Sequence, residues 1–252
     1  MTVVGSDSEQ TRIWQDQDRV EYHLRQFQKP YRSTVHFADF IRRLGPGAGE
    51  ALDVACGAGA NICHLSATVP GFRWTGIDIA GDLLFPLGKP LLRAQGIEAT
   101  LVDGDFYRLT ETFTGKKFDL VLFMQTLYAI EEPDAAVEQL MAVTRGWLVI
   151  SSLFSDLDVD VRMRAIDHQR PANCQGPFIY NVFSLARFRE FCETRGARDF
   201  VAEDFDIDID LPQPTKYGLT TYTERLADGR RLQFTGPIFQ PWKFVGLRMG
   251  PA

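Results

Sequence analysis

An apolar run, Ala51–Ala55, ends in Gly57-Ala58-Gly59, and a helical pattern begins at once near Asn61. This order of strand, glycine bend and helix restricts the chain more than any other feature. It opens a βαβ unit, and βαβ units need a parallel sheet. The rhythm continues downstream. Apolar runs at Phe72–Ile79, Ala99–Val102, Phe118–Met124 and Trp147–Ser152 alternate with helical segments at Asn61–Thr68, Gly81–Gln95 and Pro133–Val143. Right-handed crossovers then put helices on both faces of the sheet.

The flanks read differently. Asp16–Gln28 carries Val20, Leu24 and Phe27 at helical spacing, and Pro30 interrupts it. Ser33-Thr34 offers an N-cap to a second helix striped by Val35, Phe37, Phe40, Ile41 and Leu44. Residues 154–183 show no clear period. Ser184–Gly196 is helical, with Leu185, Phe188, Phe191 and Cys192 as its stripe. Phe205–Leu211 alternates strictly, the pattern of a strand with one wet face. Tyr222–Leu226 and Arg231–Phe234 flank Asp228-Gly229, a hairpin signal, and Lys243–Met249 reads as the last strand. The expectation is a doubly wound, mostly parallel, seven-stranded α/β sheet. It has a helical extension over residues 1–45, a main domain over 46–252, and a β-hairpin inserted before the last strand. Interior Pro86 and Pro90 predict a short or kinked helix after the second strand.

Composition excludes several classes. The formal charge of −6 makes a phosphate backbone a poor partner. No apolar run spans a bilayer, and the N-terminus lacks the basic and apolar regions of a signal peptide. The four cysteines form no C-x-x-C pair, which fits reduced thiols in a cytoplasmic protein. The histidines and cysteines show no metal-ligand spacing. Nothing decides between a monomer and a homodimer.

The glycine bend removes Cβ atoms that would hold a ligand away from the backbone, and the following helix start offers unpaired N–H groups. Asp78, at the end of the next strand, lies 21 residues after Gly57 (78 − 57). That matches the interval of about 20 for an acid that grips ribose hydroxyls. Together they point to an adenosine-containing ligand. Ile62 stands where a dinucleotide fingerprint carries its third glycine, which disfavours a pyrophosphate.

Here the chain resembles the class I methyltransferases, over about residues 50–152. Leu52–Gly59 is similar to that family's first motif, with Asp53 as its acid and Ala55, Gly57 and Gly59 in the loop. The resemblance implies S-adenosyl-L-methionine as donor and S-adenosyl-L-homocysteine as product. It implies Asp78 on the ribose and Ile79 beside the adenine. Val102–Phe106 resembles the third signature, with Asp105 on the adenine amino group and Phe106 near its ring. Phe118–Tyr128 resembles the fourth, where Met124 and Gln125 line the methyl-donor pocket. Gly146–Ser152 fits the fifth strand. Segments before the first strand close over the donor in many members, so Tyr22, Tyr31 and Arg32 are donor candidates, Arg32 as a fork onto the methionine carboxylate.

Methyl transfer from a sulfonium needs alignment first and a base only where the acceptor must lose a proton. His168, in the segment after the fifth strand, is the candidate base. The insertions at about 154–183 and 212–240, with Tyr217, Tyr222, Phe234, Phe239 and Trp242, are expected to wall a pocket for a small-molecule acceptor. Asp204, Asp206, Asp208 and Asp210 read as a solvated or cross-paired face, with Arg225, Arg230 and Arg231 as partners. A macromolecular acceptor, a dinucleotide reductase and a non-catalytic donor-binding module stay as alternatives.

Overall fold

The computed structural model describes residues 17–170, 177–215 and 218–250, with side chains from residue 21 onward. The expectations on the first sixteen residues, Cys174 and Tyr217 lie outside the described residues. Two helices come first, α1 (Gln17–Gln28) and α2 (Arg32–Leu44). Then follow β1 (Gly49–Val54), α3 (Ala60–Thr68), β2 (Phe72–Asp78), α4 (Gly81–Ala94), β3 (Ala99–Asp103) and the short α5 (Leu109–Thr112). The central part continues with β4 (Phe118–Met124), α6 (Pro133–Ala142) and β5 (Thr144–Ser155). After it come β6 (Val161–Ala165), β7 (Phe178–Ser184), α7 (Leu185–Glu193), β8 (Ala197–Asp204), β9 (Thr221–Arg225), β10 (Arg231–Thr235), β11 (Ile238–Phe239) and β12 (Trp242–Met249).

The main sheet runs β3-β2-β1-β4-β5-β12-β8. The strands from β3 to β5 are parallel, and β12 enters antiparallel between β5 and β8. The order reverses between β1 and β4, so the crevice above their carboxyl ends is the switch point where ligands bind in open α/β sheets. Each face has its own core. Phe37, Phe40, Ile41, Ile62, Leu65 and Leu122 fill the side of α2 and α3. Leu52, Val54, Phe123, Leu140, Ile150 and Phe188 fill the side of α6 and α7. The amino ends of the strands are stapled by Asp119. It accepts from Glu50 N at 2.8 Å and from Arg145 Nε and Nη2, each at 2.6 Å.

Several expectations change. α4 runs unbroken for 14 residues with Pro86 and Pro90 inside it. Burial of Leu84, Phe85 and Leu92 outweighs two missing backbone bonds. A Cβ at Gly88 would collide with the Ala58 carbonyl, so this helix lies directly on the glycine bend. Ser33 and Thr34 sit inside α2, whose cap position is Tyr31. Buried Thr34 instead gives its hydroxyl to Asn61 Oδ1 at 3.0 Å. Within residues 154–170 and 177–183, β6 and β7 form an antiparallel pair, and β7 joins β5 in parallel at Phe154↔Phe183.

Phe205–Leu211 is not a strand. The strand is β8, just before it, an edge strand whose residues beyond Ala197 are mostly exposed. β12 begins at Trp242, so after the Phe205 N–Trp242 O bond there is no partner left to extend the ladder. The hairpin around Gly229 is present, and β11 extends it to three strands. Among the described residues no helix is long and apolar enough to cross a membrane.

Candidate active site

β1 ends at Val54, and the next residue, Ala55, takes a left-handed φ of 58°. Gln125, just past β4, does the same at 53°. A left-handed residue with a Cβ costs about 1–2 kcal/mol, so both strand ends are held in shape by their surroundings. Gly57 and Gly59 share this region at 57° and 89°, where they carry no such cost. Gln125 N is fixed by Ser151 O at 2.9 Å. The two central strands therefore turn sharply away from the same crevice.

Asp78 organises the bend. Its Oδ2 accepts from Gly57 N at 2.7 Å and its Oδ1 from Ala80 N at 2.9 Å. Each oxygen keeps a lone pair for a further donor. Burial holds its carboxyl above the ordinary range, against the pull of those two N–H bonds. Asp53, on β1, is only 1% exposed, and its Oδ2 has no hydrogen-bond partner. Burial first, then the charge of Asp78, push it up to about 8. A buried carboxyl kept protonated by burial and by the neighbouring Asp78 marks a crevice that favours a cation.

Beyond β3, Asp105 accepts from Tyr107 N at 2.9 Å and caps a single turn. That turn sets the ring of Phe106 against Phe123 with centroids 5.4 Å apart. Ile79 is half-buried between Asp78 and Ala80. Met124 ends β4 opposite Ser151, and the Ser151 hydroxyl is buried without a partner. Asp53, Ala55, Gly57, Gly59, Asp78, Ile79, Asp105, Phe106, Met124 and Gln125 thus all sit at or just past the carboxyl ends of β1 to β4.

The N-terminal candidates divide. Tyr22 packs on Tyr31, with centroids at 5.4 Å. Arg32 forks onto Asp208, its Nε at 2.7 Å from Oδ1, and holds that carboxyl down at about 2. The fork ties α2 to the segment after β8. His168 is exposed in the turn after β6. Arg225 pairs with Asp210 at 2.6 Å, whereas Arg230 turns to Asp228 within its own loop.

Four features escape a reading by local pattern. His23 lies over the glycine bend. A Cβ on Gly57 would meet its Cε1 at 2.6 Å. Tyr128, on the turn after β4, stacks on Tyr180 of β7 at 5.7 Å and meets Trp242 of β12 edge-on at 5.2 Å. Asn181 Nδ2 donates to Ile130 O at 2.7 Å and pins β7 to that turn. Buried Asp167 accepts from Gln169 N at 3.0 Å and from Leu219 N at 3.1 Å, with Arg170 Nε at 3.7 Å. It links the insertion after β5 to the one after β8. A groove of about 360 Å³ opens beside them, lined in part by Asp156, Asp204, Phe239, Trp242 and Lys243.

A family described as a methyltransferase domain matches residues 25–199. Among curated proteins, a dTDP-3-amino-3,6-dideoxy-alpha-D-glucopyranose N,N-dimethyltransferase of Streptomyces fradiae is 29% identical over 116 residues. The match covers 44% of this chain and 42% of that enzyme, less than half of its length. The fold is similar to an O-methyltransferase family protein from Burkholderia thailandensis, with TM-score 0.58 and 10% identity, covering 98% of this chain and 64% of that one. It is also similar to the 1,6-didemethyltoxoflavin-N1-methyltransferase of the same organism, solved with 1,6-didemethyltoxoflavin and S-adenosylhomocysteine bound. There the TM-score is 0.53 and the identity 14%, over 87% of this chain and 79% of that one.

Proposed function

Because the chain belongs to the class I S-adenosylmethionine-dependent methyltransferase family, we propose that it methylates an oxygen or nitrogen of a small molecule held between the carboxyl end of β4 and the two insertions. The carrying observation is the pair of buried carboxylates, Asp53 and Asp78, at the glycine bend. A sulfonium donor brings positive charge to that pair, while a dinucleotide would bring a pyrophosphate to it. The residues fit the donor in other respects. Asp78 has lone pairs left for the ribose hydroxyls. Ile79 and Phe106 offer apolar surface to the adenine, and Asp105 an acceptor for its amino group. Gly57 and Gly59 give the bend its left-handed turn beside the methionine portion, and Met124 and Gln125 border the reacting end.

When bound, the donor supplies an already activated methyl group on sulfur. The protein's task is then alignment of the nucleophile behind that methyl group, which is catalysis by proximity and orientation. Tyr128, Tyr180 and Trp242 supply a rigid aromatic surface suited to the flat or apolar face of a small acceptor. The sugar N-methylation named for the Streptomyces fradiae enzyme supports a small acceptor. On the insertion after β5, exposed His168 can take a proton only from an acceptor that reaches that turn.

Calorimetry with S-adenosylhomocysteine and with NADH tests the donor. Binding of the first alone is expected, and binding of NADH alone would overturn the reading. Labelled S-adenosylmethionine, incubated with a cell extract split by size, tests the acceptor. Label is expected in the small-molecule fraction. Label only on macromolecules would overturn the acceptor class, and an unturned donor would point to a binding module.

A further inference from the structure

The donor's amino-acid end carries a carboxylate, and the glycine bend is poorly placed to receive one. Three of its N–H groups are already engaged: Cys56 N with Ile77 O at 3.1 Å, Gly57 N with Asp78 Oδ2 at 2.7 Å, and Gly59 N with Cys56 O at 3.0 Å. Asp78 beside them is spent on accepting N–H groups and offers an anion no donor. Arg32 is forked onto Asp208. Among the described residues, His23 brings a polar ring to the bend. α1 packs on α3 and α4, and this contact sets the imidazole edge, Nδ1 and Cε1, directly over Gly57. Tyr22 meets that ring edge-on at 5.3 Å and 84°, and Tyr22 itself rests on Tyr31, so the ring orientation is supported.

We propose that His23 positions the donor by giving an imidazole N–H to its methionyl carboxylate where the chain crosses Gly57. This rests on the donor reading above. An imidazole is short and held by its neighbours, so it can serve the carboxylate without reaching the buried acids.

The test compares two ligands that share an adenosine and a thioether. S-adenosylhomocysteine has the amino-acid end, and 5′-methylthioadenosine lacks it. Calorimetry on the full chain is expected to show His23→Leu binding S-adenosylhomocysteine about tenfold more weakly, the size of one hydrogen bond to a charged group. Its affinity for 5′-methylthioadenosine should stay within about twofold of the parent, and His23→Gln, which keeps an N–H, should recover most of the loss. Equal losses for both ligands would make His23 a packing residue only and overturn the proposal, as would no loss at all. Should His23→Leu not fold, His23→Glu carries the test: it must weaken S-adenosylhomocysteine selectively. If the parent binds neither ligand, the donor reading itself has failed, a result distinct from either loss pattern.

Discussion

The two halves of the crevice are built by different means. The glycine-bend half uses one stretch of chain after another, from Asp53 to Gln125, and relies on backbone. Its main contacts are N–H groups on Asp78 and two left-handed strand ends. The insertion half draws on residues far apart in sequence: Tyr128, Tyr180 and Trp242 in one cluster, Asp167 and Leu219 in one bond. It relies on side chains. Backbone geometry at a switch point suits a ligand that is always the same. Side chains on inserted segments can be changed without disturbing the sheet. The difference teaches where specificity for the variable partner can reside.

The comparison can be broken by variants on either side. Asp78→Ala should have the largest effect. It removes the acceptor for Gly57 N and Ala80 N together with the proposed ribose contact, and S-adenosylhomocysteine affinity should fall at least about 100-fold by calorimetry. An unchanged affinity would separate Asp78 from the ligand. Tyr128→Ala should raise the acceptor KM about tenfold while the donor Kd stays within about twofold, since it opens the aromatic cluster alone. A shift of both constants together would show that the halves are not independent.

Asp53 gives a smaller, pH-dependent effect. Its folded pKa, about 8, lies above the ordinary carboxylate value, so its neutral form favours the fold. That contribution is complete at acid pH and is lost as pH rises toward about 8. Asp53→Asn removes the loss, so its Tm advantage over the parent should grow between pH 5 and pH 8.5, reaching about 3 °C or more. A constant gap would mean that Asp53 ionises in the fold over the ordinary carboxylate range. The smallest effect belongs to Ala55→Gly. Glycine accepts the left-handed φ without a Cβ penalty but gains freedom when unfolded, so denaturant titration should show a change within about 1 kcal/mol. A larger loss would show that the Ala55 methyl itself supports the crevice.

The same contrast explains what the sequence made legible. The strand–bend–helix order and the acid after the next strand are local signals, and Asp53, Gly57, Asp78, Asp105 and Met124 could be placed from them. Phe205–Leu211 misled because burial does alternate there, Phe205 and Ile207 inward and Asp206 and Asp208 outward, without a neighbouring strand to pair with. β8 was missed because an edge strand needs little apolar sequence. α4 overrode its prolines through packing on the bend. The stacking of Tyr128 on Tyr180 leaves no mark in either segment alone, since neither residue has a period or a motif that names the other.

Asp167 has a consequence for engineering. Its buried carboxylate is satisfied from both insertions, by Gln169 N on one and Leu219 N on the other. A graft of the insertion after β8 alone takes the Leu219 N–H from a buried carboxylate, and a graft of the one after β5 alone leaves that N–H without its acceptor, each at about 1–3 kcal/mol. The two segments are therefore a single exchangeable cassette. Chimeras with a related enzyme should fold when both are transplanted together, and exchanging one at a time would report on Asp167 before it reported on the acceptor.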